Sequence, residues 1–334
     1  MNQIQIFQKL SISFLPASNK KKIWDRFRNC VKNVNYSESF DNWAHEYYSE
    51  FGKVLDFSFS IILDGKVVGF WPLYLVGDGK DAWLGHYSKR IFEPIISEEY
   101  MKDIDIYLPK LVEWIVHLAH NNNINQVHFQ LSECYQFLSK YLNENYTYSN
   151  ISVTYCDLNP DITEIWKGLR KSYKSLINRE AKIYTSEIIT SNNFKNIGDF
   201  VNLHVKAAER EVRSLKNWES QGKAIKNGEG IICYVRNFSG DLVGASFCHI
   251  TGINALYSTG AYDRNLEACG VAIGHLAQWE IIKYLKKNTN VQFYVLHPGS
   301  LEKVMTIKEQ SILHFKKGFV RHTQIFKVFR IDTI

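Results

Sequence analysis

Apolar residues along the chain follow two rhythms, one of period two and one near 3.6. The period-two stretches come in pairs. Phe57-Ser-Phe-Ser-Ile-Ile-Leu63 runs into Asp64-Gly65 and then Lys66-Val67-Val68-Gly69-Phe70. Far downstream, Ile231-Ile-Cys-Tyr-Val235 leads to Ser239-Gly240 and then Asp241-Leu242-Val243-Gly244-Ala245. Each predicts a β-hairpin: an apolar strand, a Gly-containing turn, and a second strand carrying a small residue. Gly65 to Gly240 and Gly69 to Gly244 are both intervals of 175 residues.

The helical rhythm repeats in the same order. Leu111 to His120 is an apolar, helix-length run containing Trp114, followed by an Asn-rich turn and the strand Val127–Leu131. Val271 to Lys287, containing Trp279, is followed by Asn288-Thr289-Asn290 and the strand Val291–Leu296. Hairpin, long helix and buried strand, twice in one order, predict an α/β protein of two similar domains related by duplication. The join falls near residue 160, giving domains at residues 1–159 and 160–334. Asn159-Pro160 ends the strand Ile151–Leu158, and Asp161 with Glu164 forms a helix N-cap and its capping-box partner. One helix is expected over Ile165–Ile183, with Ile165, Leu169, Tyr173, Leu176 and Ile177 on one face. Lys21–Val31 and Asp41–Phe51 also read as helices.

Composition narrows the class. In 334 residues, 45% hydrophobic and 22% charged, with 20 Phe, 19 Tyr and 8 Trp, there is ample surface for folded cores. Six scattered cysteines without a CxxC pair suit reduced thiols, not a disulfide framework or zinc cluster. No stretch reaches the roughly 18 apolar residues of a membrane span. Met1–Ser18 lacks a signal-peptide core, so a soluble, cytoplasmic protein is expected. Nucleophile elbow, Walker loop, HExxH and Rossmann glycine motifs do not occur, and no Cys/His spacing suggests a metal.

The charge is unevenly placed. From Asp161 onward 25 Lys and Arg face 16 Asp and Glu, a net of +9, whereas the preceding residues carry 15 against 18, a net of −3. Only the second half is disposed to handle an anionic ligand.

Four segments of that half, in order, carry a family resemblance. They are Leu169-Arg-Lys-Ser-Tyr-Lys-Ser-Leu-Ile-Asn178; His204 through Arg210 and Arg213 to Trp218; Leu256-Tyr-Ser-Thr-Gly-Ala-Tyr-Asp263; and Lys308 to Phe319, ending in Phe-Lys-Lys-Gly-Phe. Together they resemble the FemAB-type branch of the GNAT acyltransferase superfamily over residues 160–330. The resemblance implies two tandem GNAT-like domains, each a mixed β-sheet flanked by helices. It also implies transfer of an acyl or aminoacyl group from acyl-CoA or aminoacyl-tRNA, without a metal, to an amine of a cell-envelope or surface-glycan precursor. The implied partners are a small-molecule amino-sugar or glycan precursor and, for the second donor, tRNA. Two alternatives are an aminoacyl-tRNA-dependent peptide-bond-forming ligase and a non-catalytic GNAT-like binder of a glycan or partner protein.

The family's diphosphate-holding turn, Arg/Gln-x-x-Gly-x-Gly/Ala, aligns with Glu267-Ala-Cys-Gly270-Val-Ala272. An acidic residue stands where a basic or amide one is usual, which disfavours a diphosphate. The matching stretch of the first domain, Lys89–Pro94, has no glycine, so that copy is expected to serve as scaffold or substrate wall.

Candidate residues follow, each with a plainer role beside it. Lys167, Arg170, Lys171 and Lys174 recur at helical spacing, either turned to one phosphate-bearing ligand or lining a solvated face. Backbone N–H groups around Ser258 and Gly260 are placed for an oxyanion, and Tyr262, Asp263, His249 or His275 for proton transfer. Their plainer roles are a packed aromatic for Tyr262, a turn residue for Asp263, and a core histidine for His275. Arg213 suits phosphate or carboxylate recognition; its plainer role, shared with Arg210 on the other side of Glu211, is an i,i+3 or i,i+4 pair with helix neighbours. Lys316 faces the cleft or water. Trp279 reads as packing, and Cys269 has no neighbour in sequence that marks an activated thiolate.

Overall fold

Asp64 and Gly65 both take left-handed backbone, with φ of 47° and 76°. Two such residues in succession make the turn whose twist matches that of its strands, so Leu63 pairs with Lys66 and a tight hairpin closes. The computed structural model describes residues 3–6, 9–27, 30, 37–86, 89–131, 135–297, 306–320 and 322–333.

The first part of the chain forms β1 (Gln3–Gln5), β2 (Leu10–Phe14), α1 (Ala17–Phe27), α2 (Glu38–Ser49), β3 (Val54–Asp56), β4 (Phe59–Leu63), β5 (Lys66–Trp71), β6 (Tyr74–Val76), β7 (Trp83–Gly85), β8 (Ile91–Phe92), β9 (Ile95–Ile96), α3 (Met101–Asp105), α4 (Leu108–Asn121), β10 (Gln126–Leu131), α5 (Gln136–Asn145) and β11 (Thr147–Asp157). The remainder forms α6 (Ile162–Gly168), α7 (Lys171–Glu180), β12 (Thr185–Ile189), α8 (Gly198–Ala208), α9 (Leu215–Lys226), β13 (Gly230–Arg236), β14 (Leu242–Thr251), β15 (Asn254–Tyr262), α10 (Arg264–Ala268), α11 (Ile273–Asn288), β16 (Phe293–His297), α12 (Ile307–Lys317) and β17 (His322–Asp332).

Two compact units result. Unit 1 comprises Met1–Val31, Tyr47–Ser152 and Ile325–Ile334; unit 2 comprises Lys32–Glu46 and Val153–Gln324. This grouping differs from domains at 1–159 and 160–334 in three segments: 32–46 and 153–159 go with unit 2, and 325–334 with unit 1. Phe40 and Trp43 of α2 stack against His249 in unit 2, with ring centroids 5.2 and 6.1 Å away. The last residues pair antiparallel with β10, Gln126 opposite Asp332, and so join unit 1.

In unit 1 the strands run β1-β2-β4-β5-β9, with β3-β6-β7 forming a small second sheet and β10 lying between β8 and β17. Trp71, Phe59, Phe129, Leu111 and Ile115 fill its core. In unit 2 the order is β12-β13-β14-β15-β16-β11. Strand β13 runs Ile-Ile-Cys-Tyr-Val over 231–235, all buried, because both faces of this sheet are covered. Ile231, Cys233 and Val235 pack with α11 residues Ile273, Leu276 and Ile281. Ile232 and Tyr234 point the other way, toward Phe200 of α8 and Trp218 and Ile225 of α9.

Two expected helices are not continuous. The one expected over Ile165–Ile183 breaks into α6 and α7, because Leu169 and Arg170 are extended, with ψ of 149° and 134°. Leu169 is buried, and the Arg170 N–H donates to the Gly318 carbonyl at 3.0 Å. Arg210 and Arg213 sit on no helix: α8 stops at Ala208, Glu209 turns left-handed, and Ser214 caps α9. Asp161 does cap α6, accepting from the Thr163 and Glu164 N–H groups, while Glu164 pairs with Lys167 at 2.6 Å.

Candidate active site

The local rule that opens a cleft in unit 2 lies in strand pairing. β14 and β15 are paired from Thr251↔Asn254 to Gly244↔Tyr262. On its other edge β15 pairs with β16, in parallel, only through Asn254, Ala255 and Leu256. From Tyr257 onward that edge has no partner strand among the described residues, so its outward backbone groups are available to a ligand. A bulge sits at the same point: Phe247 faces Thr259 and Cys248 faces Tyr257, leaving Ser258 as the extra residue.

A cavity of about 1000 Å³ occupies the opening. β15 contributes Tyr257, Ser258, Thr259, Gly260 and Tyr262; α11 contributes Gly274 and His275; α12 contributes Ile307, Lys308, Ser311, Ile312, Phe315 and Lys316. Leu176, His204, Arg213, Arg264, Glu267 and the Gly270–Ala272 turn complete it.

Lys316 is the most informative charge here. Its Nζ lies 5.2 Å from the centroid of the Tyr257 ring. Burial pushes its ammonium down to about 8. Below that pH it is a cation lodged at the cavity wall with an aromatic face as its neighbour.

Behind Tyr257 runs a chain of buried hydroxyls. The Tyr257 and Tyr262 oxygens are 3.2 Å apart, and Tyr262 meets Ser246 Oγ at 2.7 Å. Gln278 Nε2 donates to Ser246 Oγ at 3.3 Å, and Tyr294 donates to Gln278 Oε1 at 2.6 Å. Burial raises both tyrosine hydroxyls of the cavity above their ordinary range, so they are neutral donors at pH 7. The chain exists because two positions have no side chain. A Cβ on Gly260 would run into the Tyr257 hydroxyl, and one on Gly274 would press on the Tyr262 ring at 3.1 Å.

Arg213 and His204 make a further part of the lining basic and aromatic-backed. Arg213 Nη1 donates to Thr259 Oγ1 at 3.0 Å and lies 5.0 Å from the Trp218 ring. Gln221 Nε2 donates to the same hydroxyl at 3.0 Å. His204 stands edge-on to Trp218; burial first, then Arg213 and Arg264, push its imidazole down to about 4.

The structure therefore gathers Tyr262, His275, Arg213, Ser258, Gly260 and Lys316 around one cavity and leaves the other candidates outside its lining. His275 is boxed by Tyr173 at 4.3 Å and Phe315 at 4.9 Å, and burial, with Arg170 second, pushes it down to about 4. Asp263 is occupied: one oxygen caps α10, accepting from Asn265 N–H at 3.0 Å, and the other meets Lys206 at 2.8 Å. That Lys206 hydrogen bond is the largest reason its carboxyl is held below the usual range. Arg170 lies on the Tyr173 ring and meets His314 Nε2 at 2.6 Å. Lys174 donates to the Lys167 carbonyl at 3.2 Å, and Lys171 is exposed. The basic stripe is thus split by the break at Leu169-Arg170. His249 is fully buried and away from the cavity lining, its imidazole pushed down to about 3 by burial. Glu267 pairs with Arg264 at 2.8 Å. Among the described residues no three His, Cys, Asp or Glu side chains are grouped to hold a metal, and no helix is long and apolar enough to cross a membrane.

Tyr257, Ser246, Gln278 and His204 were not singled out by sequence. The nearest signal for Tyr257 is its place in Tyr257-Ser-Thr-Gly-Ala-Tyr262, where two tyrosines flank a glycine that gives their hydroxyls room.

With this geometry in hand, comparison with solved structures is informative about the fold. FemX matches with a TM-score of 0.64, covering 94% of this chain and 96% of its own at 11% identity. The fold is that of the FemAB-like tandem GNAT proteins. A tandem GNAT protein from the clavulanic acid biosynthesis pathway matches with a TM-score of 0.52, covering 98% and 99% at 11% identity. The C-terminal domain of a putative lysylphosphatidylglycerol synthetase from Agrobacterium fabrum matches with a TM-score of 0.59, covering 94% and 92% at 12% identity. No family model matches the chain, and neither does any curated protein.

Proposed function

We propose that the cavity of unit 2 is an acyl-transfer site, in which an amine attacks the carbonyl of an activated acyl or aminoacyl donor. The carrying observation is Lys316: a cation desolvated at the wall of a cleft whose strand edge has, beyond Leu256, no partner strand among the described residues. Burying a charge without a partner is costly, and such a site recovers that cost when negative charge forms beside it. The names of the similar folds, a putative lysylphosphatidylglycerol synthetase and a tandem GNAT protein described without AcCoA, support the same reaction class.

In this reading the amine nitrogen bonds to the carbonyl carbon and the bond from that carbon to the donor's carrier breaks. The proton lost by the amine goes to the departing oxygen or sulfur. Negative charge appears transiently on the carbonyl oxygen, where the Lys316 ammonium and the backbone N–H groups of Ser258–Gly260 stabilise it. The Tyr294-Gln278-Ser246-Tyr262 chain orients the Tyr257 hydroxyl at the wall, which makes Tyr262 a positioning residue. Arg213, with Thr259 beside it, holds an anionic group of the acceptor. A phosphate-bearing amino-sugar or glycan precursor of the cell envelope has that chemistry. Arg170, Lys171 and Lys174 are set outside the cavity and Asp263 is occupied with capping, so neither set takes part in the bond changes.

The test is amide formation by purified protein, scored by mass spectrometry with amino-sugar acceptors and either acetyl-CoA or aminoacyl-tRNA. Product from the wild type, formed about 10²–10³-fold more slowly by Lys316→Met, supports the reading. An acceptor that binds without turnover under every donor would replace it with the non-catalytic binder.

A further inference from the structure

Helix α11 begins at the cavity, and the turn before it, Cys269–Ala272, matches the position at which an acyl-CoA diphosphate would be cradled. Its backbone donors are already engaged. The Cys269 N–H donates to the Asn265 carbonyl at 3.1 Å, Gly270 to Glu267 at 2.9 Å, and Val271 to Leu266 at 3.0 Å. The fourth, Ala272 N–H, donates to a side chain: Glu180 Oε1, at 3.0 Å.

Glu180 is the last residue of α7 and is 1% exposed. The same oxygen receives Arg179 Nε at 2.9 Å, while Arg179 Nη2 donates to the Gly270 carbonyl at 2.7 Å. A carboxylate has been carried in from another helix, buried at the positive end of α11, and locked by a guanidinium that also grips the turn. That is how an anion is held at a helix N-terminus, with the anion supplied by the protein itself.

We propose that Glu180 is the resident anion of this cradle and closes it to diphosphates, so that the acyl donor is not a CoA thioester anchored at α11. A diphosphate entering the turn would meet a buried carboxylate, with Glu267 lining the cavity close by. This rests on the acyl-transfer reading above, which it sharpens by excluding one donor class.

The experiment has two arms. In the first, wild-type protein is titrated calorimetrically with CoA and with acetyl-CoA. The expected result is no binding tighter than about 1 mM. In the second, the melting temperature of Glu180→Ala is followed with inorganic pyrophosphate against sodium chloride of equal ionic strength. The variant empties the cradle but keeps Arg179, so pyrophosphate is expected to recover the lost stability by mass action while leaving wild type unmoved. Micromolar CoA binding by wild type overturns the proposal. So does a folded Glu180→Ala protein indifferent to pyrophosphate. Should that variant not fold, the wild-type titration decides alone. Transfer from acetyl-CoA by wild type would sustain the acyl-transfer reading and sink this one; no transfer from any donor, with CoA still unbound, would do the reverse.

Discussion

The hairpins β4–β5 and β13–β14 are the same device used twice. In each, the second strand carries one extra residue just after the turn, leaving Val68 or Val243 bulged, and the next residue is glycine. What covers the glycine differs. Over Gly69 lies the backbone of β9, which pairs with β5 at Gly69↔Ile96 and Phe70↔Ile95. Over Gly244 lies a side-chain methyl of Ile273, at the start of α11, and β14 pairs instead along the full length of β15. The helices following the hairpins diverge in step. α4 opens with Leu108-Pro109, whose proline has no N–H to offer an anion, whereas α11 opens on an N–H that holds Glu180. One unit covers its hairpin with a further strand; the other keeps a split edge and a charged wall. The proposed site lies where pairing stops early.

The sharpest way to break the contrast is to remove the charge that marks unit 2. Lys316→Met is expected to cut transfer about 10²–10³-fold, the usual effect of deleting one oxyanion-stabilising donor. Its melting temperature should hold or rise, because a desolvated cation leaves a cavity wall; a large fall would show that Lys316 is structural instead. The wild-type rate should decline as pH rises through about 8, since the ammonium form is then lost. A rate that climbs through that pH would make Lys316 a base. Stability runs the other way. The folded protein holds the Lys316 proton less tightly than the unfolded chain, so this group's penalty is full below about 8 and fades toward its ordinary pKa.

Tyr262→Phe is expected to lower turnover about tenfold and stability by about 1–3 kcal/mol, because Ser246 and Tyr257 lose their shared partner. Unchanged kinetics in a destabilised protein would reduce the hydroxyl chain to scaffolding. The two hairpins can be set against each other directly by chemical denaturation. Gly69→Ala meets backbone, and Gly244→Ala meets Cγ2 of Ile273, a fully buried β-branched side chain stiff at χ1, so each is expected to cost about 1–3 kcal/mol. A loss at one glycine alone would mean that only that one is tightly covered. The smallest effect belongs to Asp263→Ala: about 1 kcal/mol of stability from the lost α10 cap, with turnover unchanged. A collapse in turnover would return Asp263 to the chemistry.

Much of this contrast is legible in the amino-acid sequence. The 175-residue interval between hairpins, the strand at Leu256–Asp263, the helix carrying Trp279 and the cleft-facing candidates Lys316, Arg213 and Tyr262 all came from periodicity, glycine placement and the family resemblance. What escaped was set by long-range pairing. Nothing in Leu169-Arg170 announces a helix break, because its cause is a hydrogen bond to Gly318 in a segment far along the chain. Asp263 reads as a candidate beside Tyr262, but the partner that occupies it, Lys206, comes from α8.

Sequence alone determined the repertoire: which stretches alternate, which coil, where turns need glycine, and that the second half carries the cations. These are local properties, decided within a few residues by sterics and side-chain period. Tertiary structure alone decided which polar groups meet. Glu180 lies 92 positions from Ala272 and is, in sequence, one more glutamate beside an arginine at a helix end. Only the packing of α7 against α11 carries its carboxylate to a helix N-terminus, because a buried charge is tolerable solely where donors from elsewhere in the chain converge on it.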